Sequence, residues 1–418
     1  MVELQSNDLI ILLFQISVML GSALLFGQLM RRLNQPSVLG ELVGGIIIGP
    51  TVLGFFAPGI YSALFPANPG IIQERDILLK VGMLFFLFSA GLEINLTQVQ
   101  QRKSKILLIS AFGFFIPFLI GYGAVFLFPD YWRSATTNGL LNLALFVGTA
   151  LSISALPVIS RILMDLRLLD QEVGIVVISS ATIDDLIGWS LFAVIISSFG
   201  TTNSDRNFVT ILIGVVLFAA VLIGFGRLLG WSILKWASNA LSRPSGLISL
   251  MAIYILFAAA TAEAIGIHAI FGAFIAGVSL NAAFKNHGER HTQEIIHQFV
   301  ISFFAPLYFV SIGLKANFLA NFDLPLVVLV IAIATIGKVG GVSLGAMVSG
   351  ISLREAFAIG FGMNARGAIE MILATIALEH KLIDQRIFVA LVSMALVTSL
   401  VSAPLMQLLM RKTLRIHL

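Results

Sequence analysis

"VGIVVISSATIDDLIGWSLFAVIISSF", residues 173–199, is long and apolar enough to cross a bilayer as one helix, yet Asp184 and Asp185 sit side by side near its middle. A charge at the bilayer centre costs at least about 2.5–3.5 kcal/mol on insertion scales. The run is either an unusual soluble helix or a membrane span with a polar interior to face, and the rest of the chain decides between them. Of 418 residues, 58% are hydrophobic and 11% are charged, and the mean hydropathy is +1.01. Apolar runs of about 20 residues recur along the whole length, the pattern of spanning helices rather than of amphipathic helices around a watery surface. The 37 glycines suit close helix approach within a bilayer. The expected fold is an all-α polytopic membrane protein.

Thirteen spans are expected, at roughly 7–30, 37–56, 77–96, 104–128, 138–163, 170–199, 208–236, 245–264, 268–284, 294–316, 324–349, 354–379 and 384–410. With the N-terminus outside and the C-terminus inside, 16 of the 25 lysines and arginines fall in inner loops and 7 on the outer side, while Lys338 and Arg366 lie within spans. That asymmetry satisfies the positive-inside rule. The first run, Leu9 to Met30, precedes Arg31 and Arg32 and reads as a retained helix rather than a cleaved leader. Eight residues follow Met410, and no soluble regulatory domain is expected. Cysteine is absent, which excludes disulfides and thiolate metal sites. The basic residues are spread over short loops, so no nucleic-acid partner is expected, and nothing in the chain asks for a cofactor.

Five ionisable residues lie deep in apolar runs: Asp184, Asp185, Lys338, Arg366 and Glu370. Successive helix positions are about 100° apart. One acid of the pair can therefore hold a fixed cation while its neighbour faces a cavity, and the cluster would titrate as a coupled unit. A carboxylate that can hold either a proton or a small cation is the minimum device for proton-coupled cation exchange. Its hard oxygens suit Na⁺, Li⁺ or K⁺, and no sulfur or clustered imidazole is offered to a transition metal. Lys338 lies in "ATIGKVGG" (334–341), where Val339 stands in place of the Ser or Thr that a phosphate loop needs after Gly-Lys. Gly337, Gly340 and Gly341 are expected instead to let another helix approach the lysine.

Two spans are expected to be interrupted. In "GTALSISALPVISRIL" (148–163), Pro157 removes a backbone donor, and Thr149, Ser152 and Ser154 can serve freed backbone groups or supply oxygen ligands. In "GMNARGAIEMIL" (362–373), Asn364 and Gly367 weaken the helix. Arg366 and Glu370, one turn apart, are expected to form a structural pair that holds helix ends or neighbours in place. The interrupted spans are the fifth and twelfth, which fits two inverted six-helix repeats joined by span 7.

These stretches occur in order with "LGELVGGIIIGPTVLG" (39–54), "LFFLFSAGLEINL" (84–96) and "HAIFGAFIAG" (268–277). Together the set resembles the second monovalent cation:proton antiporter family, which includes NapA-like sodium/proton antiporters, Kef-type membrane domains and the cation/proton exchangers of plants and cyanobacteria. The resemblance spans nearly the whole chain. It implies a secondary transporter rather than an enzyme, and so no catalytic residues. It implies a homodimer in the lipid bilayer of a bacterial or cyanobacterial inner or thylakoid membrane. A dimerisation part would occupy about 1–100 and 245–316, a core with two crossed, discontinuous helices about 104–199 and 324–411, and a linker helix about 208–236. Exchange would proceed by elevator-type movement of the core. Asp185 maps to the family's ion- and proton-binding carboxylate and would hold the Na⁺ or K⁺, with Thr149 and Ser154 as further oxygens. Asp184 maps to the acid paired with the lysine at Lys338, an arrangement that goes with electrogenic exchange. Asp-Asp here, where Kef-type members carry Gln-Asp, favours Na⁺ or Li⁺ exchange for protons over K⁺. "SISALPV" and "NARGAIE" keep a K⁺/H⁺ antiporter as the alternative within the family, and a proton-independent cation channel is the alternative outside it.

Overall fold

The computed structural model describes residues 6–33, 35–93, 103–132, 139–165, 168, 171–199, 208–226, 228, 232, 236, 240–242, 244–287 and 290–414. In chain order the helices are α1 (Ser6–Arg32), α2 (Ser37–Ile48), α3 (Leu53–Phe56), α4 (Pro58–Leu64), α5 (Pro69–Glu93), α6 (Lys103–Leu127), α7 (Pro129–Trp132), α8 (Leu140–Ser152), α9 (Leu156–Asp165) and α10 (Glu172–Phe199). They continue as α11 (Phe208–Phe225), α12 (Ser245–Ala264), α13 (Ala269–His287), α14 (Arg290–Phe299), α15 (Ala305–Lys315), α16 (Phe318–Asn321), α17 (Leu324–Val348), α18 (Leu353–Met363), α19 (Ala368–Glu379) and α20 (Gln385–Leu414). A π-helical turn, Val300–Phe304, joins α14 to α15.

Among the described residues, eight helices are long and apolar enough to cross a membrane, and shorter apolar helices cover Leu140–Ser152, Ile213–Phe225 and Ala269–Asn281. The expected spans 138–163 and 354–379 are each divided, into α8 and α9 and into α18 and α19. The expected segment 77–96 falls in α5, which begins earlier, at Pro69; its last residues lie outside the described ones. Of the expected linker 208–236, Phe208–Phe225 is helical, and most of the remainder is likewise outside.

The chain forms two compact units. The first comprises residues 1–26, 41–94 and 196–315. Its helices approach closely where glycines meet. A Cβ on Gly313 would stand 2.7 Å from the Gly45 Cα, and one on Gly277 would stand 3.0 Å from the Gly91 Cα. Phe88, Leu247, Met251, Ile255 and Phe284 are buried together beside these contacts.

The second unit comprises residues 27–40, 95–195 and 316–418. Its longest buried contact runs between α6 and α17. Gly337, Gly341 and Gly345 recur every fourth residue and so share one face of α17. A Cβ there would stand 2.9 Å from the Pro117 Cα, 2.5 Å from the Phe112 carbonyl oxygen and 2.8 Å from the Leu108 carbonyl oxygen, respectively. Gly340 does not belong to this stripe, because a Cβ at that position meets nothing within 4 Å. The expectation that Gly340 admits a neighbour is corrected accordingly: one residue of offset turns it about 100° away from the contact.

The α17 helix starts at Asp323, whose carboxylate accepts the Leu326 N–H at 3.2 Å, with Pro325 in the first turn. It stops at Gly350, which adopts φ +83°, while the Ile351 N–H returns to the Ala346 carbonyl at 3.0 Å. Ser352 then opens α18, accepting the Glu355 N–H and donating its hydroxyl to the Glu355 carboxylate at 2.9 Å. The buried faces of these helices close on Ile109, Ile159, Val176, Ile359, Met363 and Met406.

The glycine stripe makes a paired prediction. Gly337→Ala forces backbone apart and should lower stability by about 1–3 kcal/mol. Gly340→Ala should be neutral or stabilising by up to about 1 kcal/mol through helix propensity. Thermal melting of the two purified variants in one detergent checks this, and equal shifts would contradict the packing described.

Candidate ion-binding site

The site lies within the second unit and is organised by two helix interruptions. The α8 helix ends at Ser152, and α9 begins at Leu156. The α18 helix ends at Met363, and α19 begins at Ala368. The two breaks touch: the Ala155 N–H donates to the Ala365 carbonyl at 3.0 Å. The breaks pack closely at Gly367, where a Cβ would stand 2.8 Å from the Val158 side chain and 3.2 Å from the Ala155 Cβ.

Asn364 and Gly367 flank the second break. Pro157 does not lie at the first. The non-helical residues are Ile153, Ser154 and Ala155, and Pro157 occupies the first turn of α9. A missing N–H is harmless there because first-turn N–H groups have no partner within the helix.

An interrupted helix leaves backbone groups that must be satisfied inside a bilayer. Two buried cations satisfy the end of α8. The Arg366 guanidinium donates to the Ala150 carbonyl at 2.9 Å and to the Leu151 carbonyl at 2.6 Å. The Lys338 ammonium donates to the Ser152 carbonyl. Positive charge at a helix C-terminus also opposes the helix dipole. Arg366 pairs with Glu370 in the first turn of α19, at 2.6 Å. Thus Arg366, paired with Glu370 in the second break, bonds the helix end at the first.

Lys338 has two more acceptors. It reaches Asp184 at 2.7 Å, with both side chains fully buried. It also reaches the Gly113 carbonyl at 3.0 Å. That carbonyl is available because Pro117, four residues on in α6, has no N–H to donate back to it. The three ammonium protons are therefore matched by three oxygens. Sequence reasoning missed Pro117; a proline inside an apolar run, four residues after a glycine, was the signal. It also missed Ser399 on α20, which accepts the Arg366 N–H at 3.0 Å and donates its hydroxyl to the Arg366 carbonyl, so that the second break is bonded on both sides.

Asp185 is different. It is 4% exposed, and its Oδ1 has no hydrogen-bond partner among the described residues. The face of α10 that carries Asp184 also carries Gly188, where the Ile153 side chain packs against bare backbone, so this face points to the first break. Asp185 is turned about 100° from it. Of the expected oxygen ligands, Thr149 donates its hydroxyl to the Leu145 carbonyl at 2.7 Å, which leaves its lone pairs free. Ser154 is 1% exposed, and its hydroxyl has no partner among the described residues.

A separate cavity of about 730 Å³ is lined in part by Lys105, Gln171, Glu172, Ser352 and Glu355. Its deepest residue on α10, Val176, is eight positions before Asp184, or about 12 Å along the helix. It is thus not the space around the acid pair.

Two helices that break at a shared point, with a lysine-paired acid and an unpaired acid beside them, are the parts of a membrane ion carrier. The comparisons agree. Residues 20–412 match the family described as sodium/hydrogen exchanger, transmembrane, and the chain belongs to that family of cation/proton antiporters. It is 32% identical over 406 residues to the Na(+)/H(+) antiporter NhaS4 of Synechocystis sp., covering 96% of this chain and 98% of that one. It is 32% identical over 416 residues to the K(+)/H(+) antiporter 1 of Saccharomyces cerevisiae, covering 96% of this chain but 47% of that one. Its fold is similar to that of the sodium proton antiporter MjNhaP1 from Methanocaldococcus jannaschii, with a TM-score of 0.73 and 18% identity over 97% of this chain and 99% of the other.

Proposed function

We propose that the chain exchanges Na⁺ or Li⁺ for protons and that Asp185 is the group that carries either ion. The observation that supports this is the contrast between the two acids. Asp184 is held by Lys338 through one of its oxygens, whereas Asp185 is buried with no ion-pair or hydrogen-bond partner among the described residues. A buried carboxylate without a partner is stable only when it binds a cation or a proton. Thr149 and Ser154 supply further oxygens. Protonation of Asp185 releases the cation, and transfer of a further proton through the Asp184–Lys338 pair makes the exchange electrogenic. Residues of about 104–199 and 324–411 act as the moving core of an elevator, about 1–100 and 245–316 as the dimerisation part, and about 208–236 as the linker helix. Thirteen crossings with the N-terminus outside belong to the same proposal.

A K⁺/H⁺ antiporter is the second reading, favoured by the likeness to the yeast protein named for that exchange. Proteoliposomes with an imposed pH gradient separate the readings. Added Na⁺ or Li⁺ should collapse the gradient at lower concentration than K⁺. A preference for K⁺ selects the second reading. Cation flux that ignores the pH gradient would instead identify a channel.

A further inference from the structure

The second break holds a polar side chain that neither the fold nor the carrier mechanism uses. Asn364 is 3% exposed, and its amide oxygen has no partner among the described residues. Its amide nitrogen stands 3.5 Å from the Thr335 hydroxyl, on α17 one turn before Lys338. A buried acceptor without a donor is destabilising and is retained where a water or an ion completes it.

Ending α18 does not explain the residue. Asn364 lies at φ −80°, ψ −6°, a right-handed conformation open to any side chain, and its backbone N–H is already bonded to the Gly360 and Phe361 carbonyls. The break itself is held by Ser399, by Arg366 and by the Ala155–Ala365 bond.

The placement is specific. Asn364 immediately precedes Ala365, and Ser154 immediately precedes Ala155, the two residues joined across the breaks at 3.0 Å. Among the described residues, each break therefore presents a buried, neutral, unpartnered oxygen beside the same backbone bond. We infer that Asn364 sets cation selectivity, its amide oxygen joining the Thr149 and Ser154 hydroxyls as a neutral ligand of the cation held by Asp185. This rests on the carrier reading above. Neutral oxygens add no charge, so they tune which ion fits through ligand number and spacing rather than through attraction. Thr335 is a positioning residue that fixes the amide so that its oxygen is free.

The test measures half-saturating Na⁺, Li⁺ and K⁺ separately from proton flux in proteoliposomes of wild type, Asn364→Ala and Thr335→Val. Asn364→Ala should raise the half-saturating concentration of the preferred cation about tenfold and change the Na⁺/K⁺ ratio, with the maximal rate altered less than about threefold. Thr335→Val should move half-saturation in the same direction by a smaller factor. It decides the matter if Asn364→Ala does not fold. Unchanged half-saturation, or an equal fall in rate for all three cations, overturns the inference while leaving exchange by the wild type intact. A wild type without cation-dependent proton flux overturns the carrier reading and this inference together.

Discussion

Asp185→Asn is expected to reduce cation-driven proton flux by about 100-fold or more, to the level of empty liposomes. Asparagine keeps the shape and hydrogen-bonding capacity of the acid but neither binds a proton in this range nor offers a charge to a dehydrated cation. The variant should fold at least as well as the wild type. The carboxylate has an unpartnered oxygen in a buried setting, so removing its charge relieves a desolvation penalty rather than breaking a bond. Loss of flux together with an unchanged or raised melting temperature is the expected signature. Flux at wild-type level would remove Asp185 from the mechanism.

Lys338→Met should do the opposite and act first on stability. The lysine donates to Asp184 and also bonds the Gly113 and Ser152 carbonyls. Its loss leaves a buried carboxylate and two backbone acceptors unpaired, and removing one partner of a buried ion pair costs about 3–5 kcal/mol. Adding Asp184→Asn to Lys338→Met should recover part of that loss, because the uncompensated charge is gone. Recovery should be incomplete, because the two carbonyls are still without a donor. Melting temperatures of the single and double variants in lipid nanodiscs check both statements. A single variant as stable as wild type would show that the lysine does not hold the end of α8 in place.

The features most legible in the sequence were those that are energetically conspicuous. An acid or a lysine inside an apolar run announces itself, because a bilayer tolerates it only with a partner. Asp184, Lys338, Arg366 and Glu370 were found that way, and their ion pairs follow. Both breaks were found from residues poorly suited to a helix interior, although Pro157 marked the start of the next helix and not the gap itself. What stayed hidden was backbone. Composition does not reveal that Pro117 frees the Gly113 carbonyl for Lys338, or that the end of α8 is covered by Arg366. Ser399 is one hydroxyl among many in apolar helices, and only tertiary contact singles it out. The difference between Gly337 and Gly340 was readable in principle from the four-residue spacing of Gly337, Gly341 and Gly345.

The central claim is that one buried carboxylate, Asp185, holds a cation or a proton but not both. Calorimetric titration of NaCl into purified protein, in two buffers of different ionisation enthalpy, counts the protons released on binding. The account predicts release of more than one proton per bound cation, one from Asp185 and a further one from the Asp184–Lys338 pair, at a pH where acidification weakens binding, and loss of both binding and release in Asp185→Asn. Cation binding without proton release, or release that persists in the variant, would contradict it.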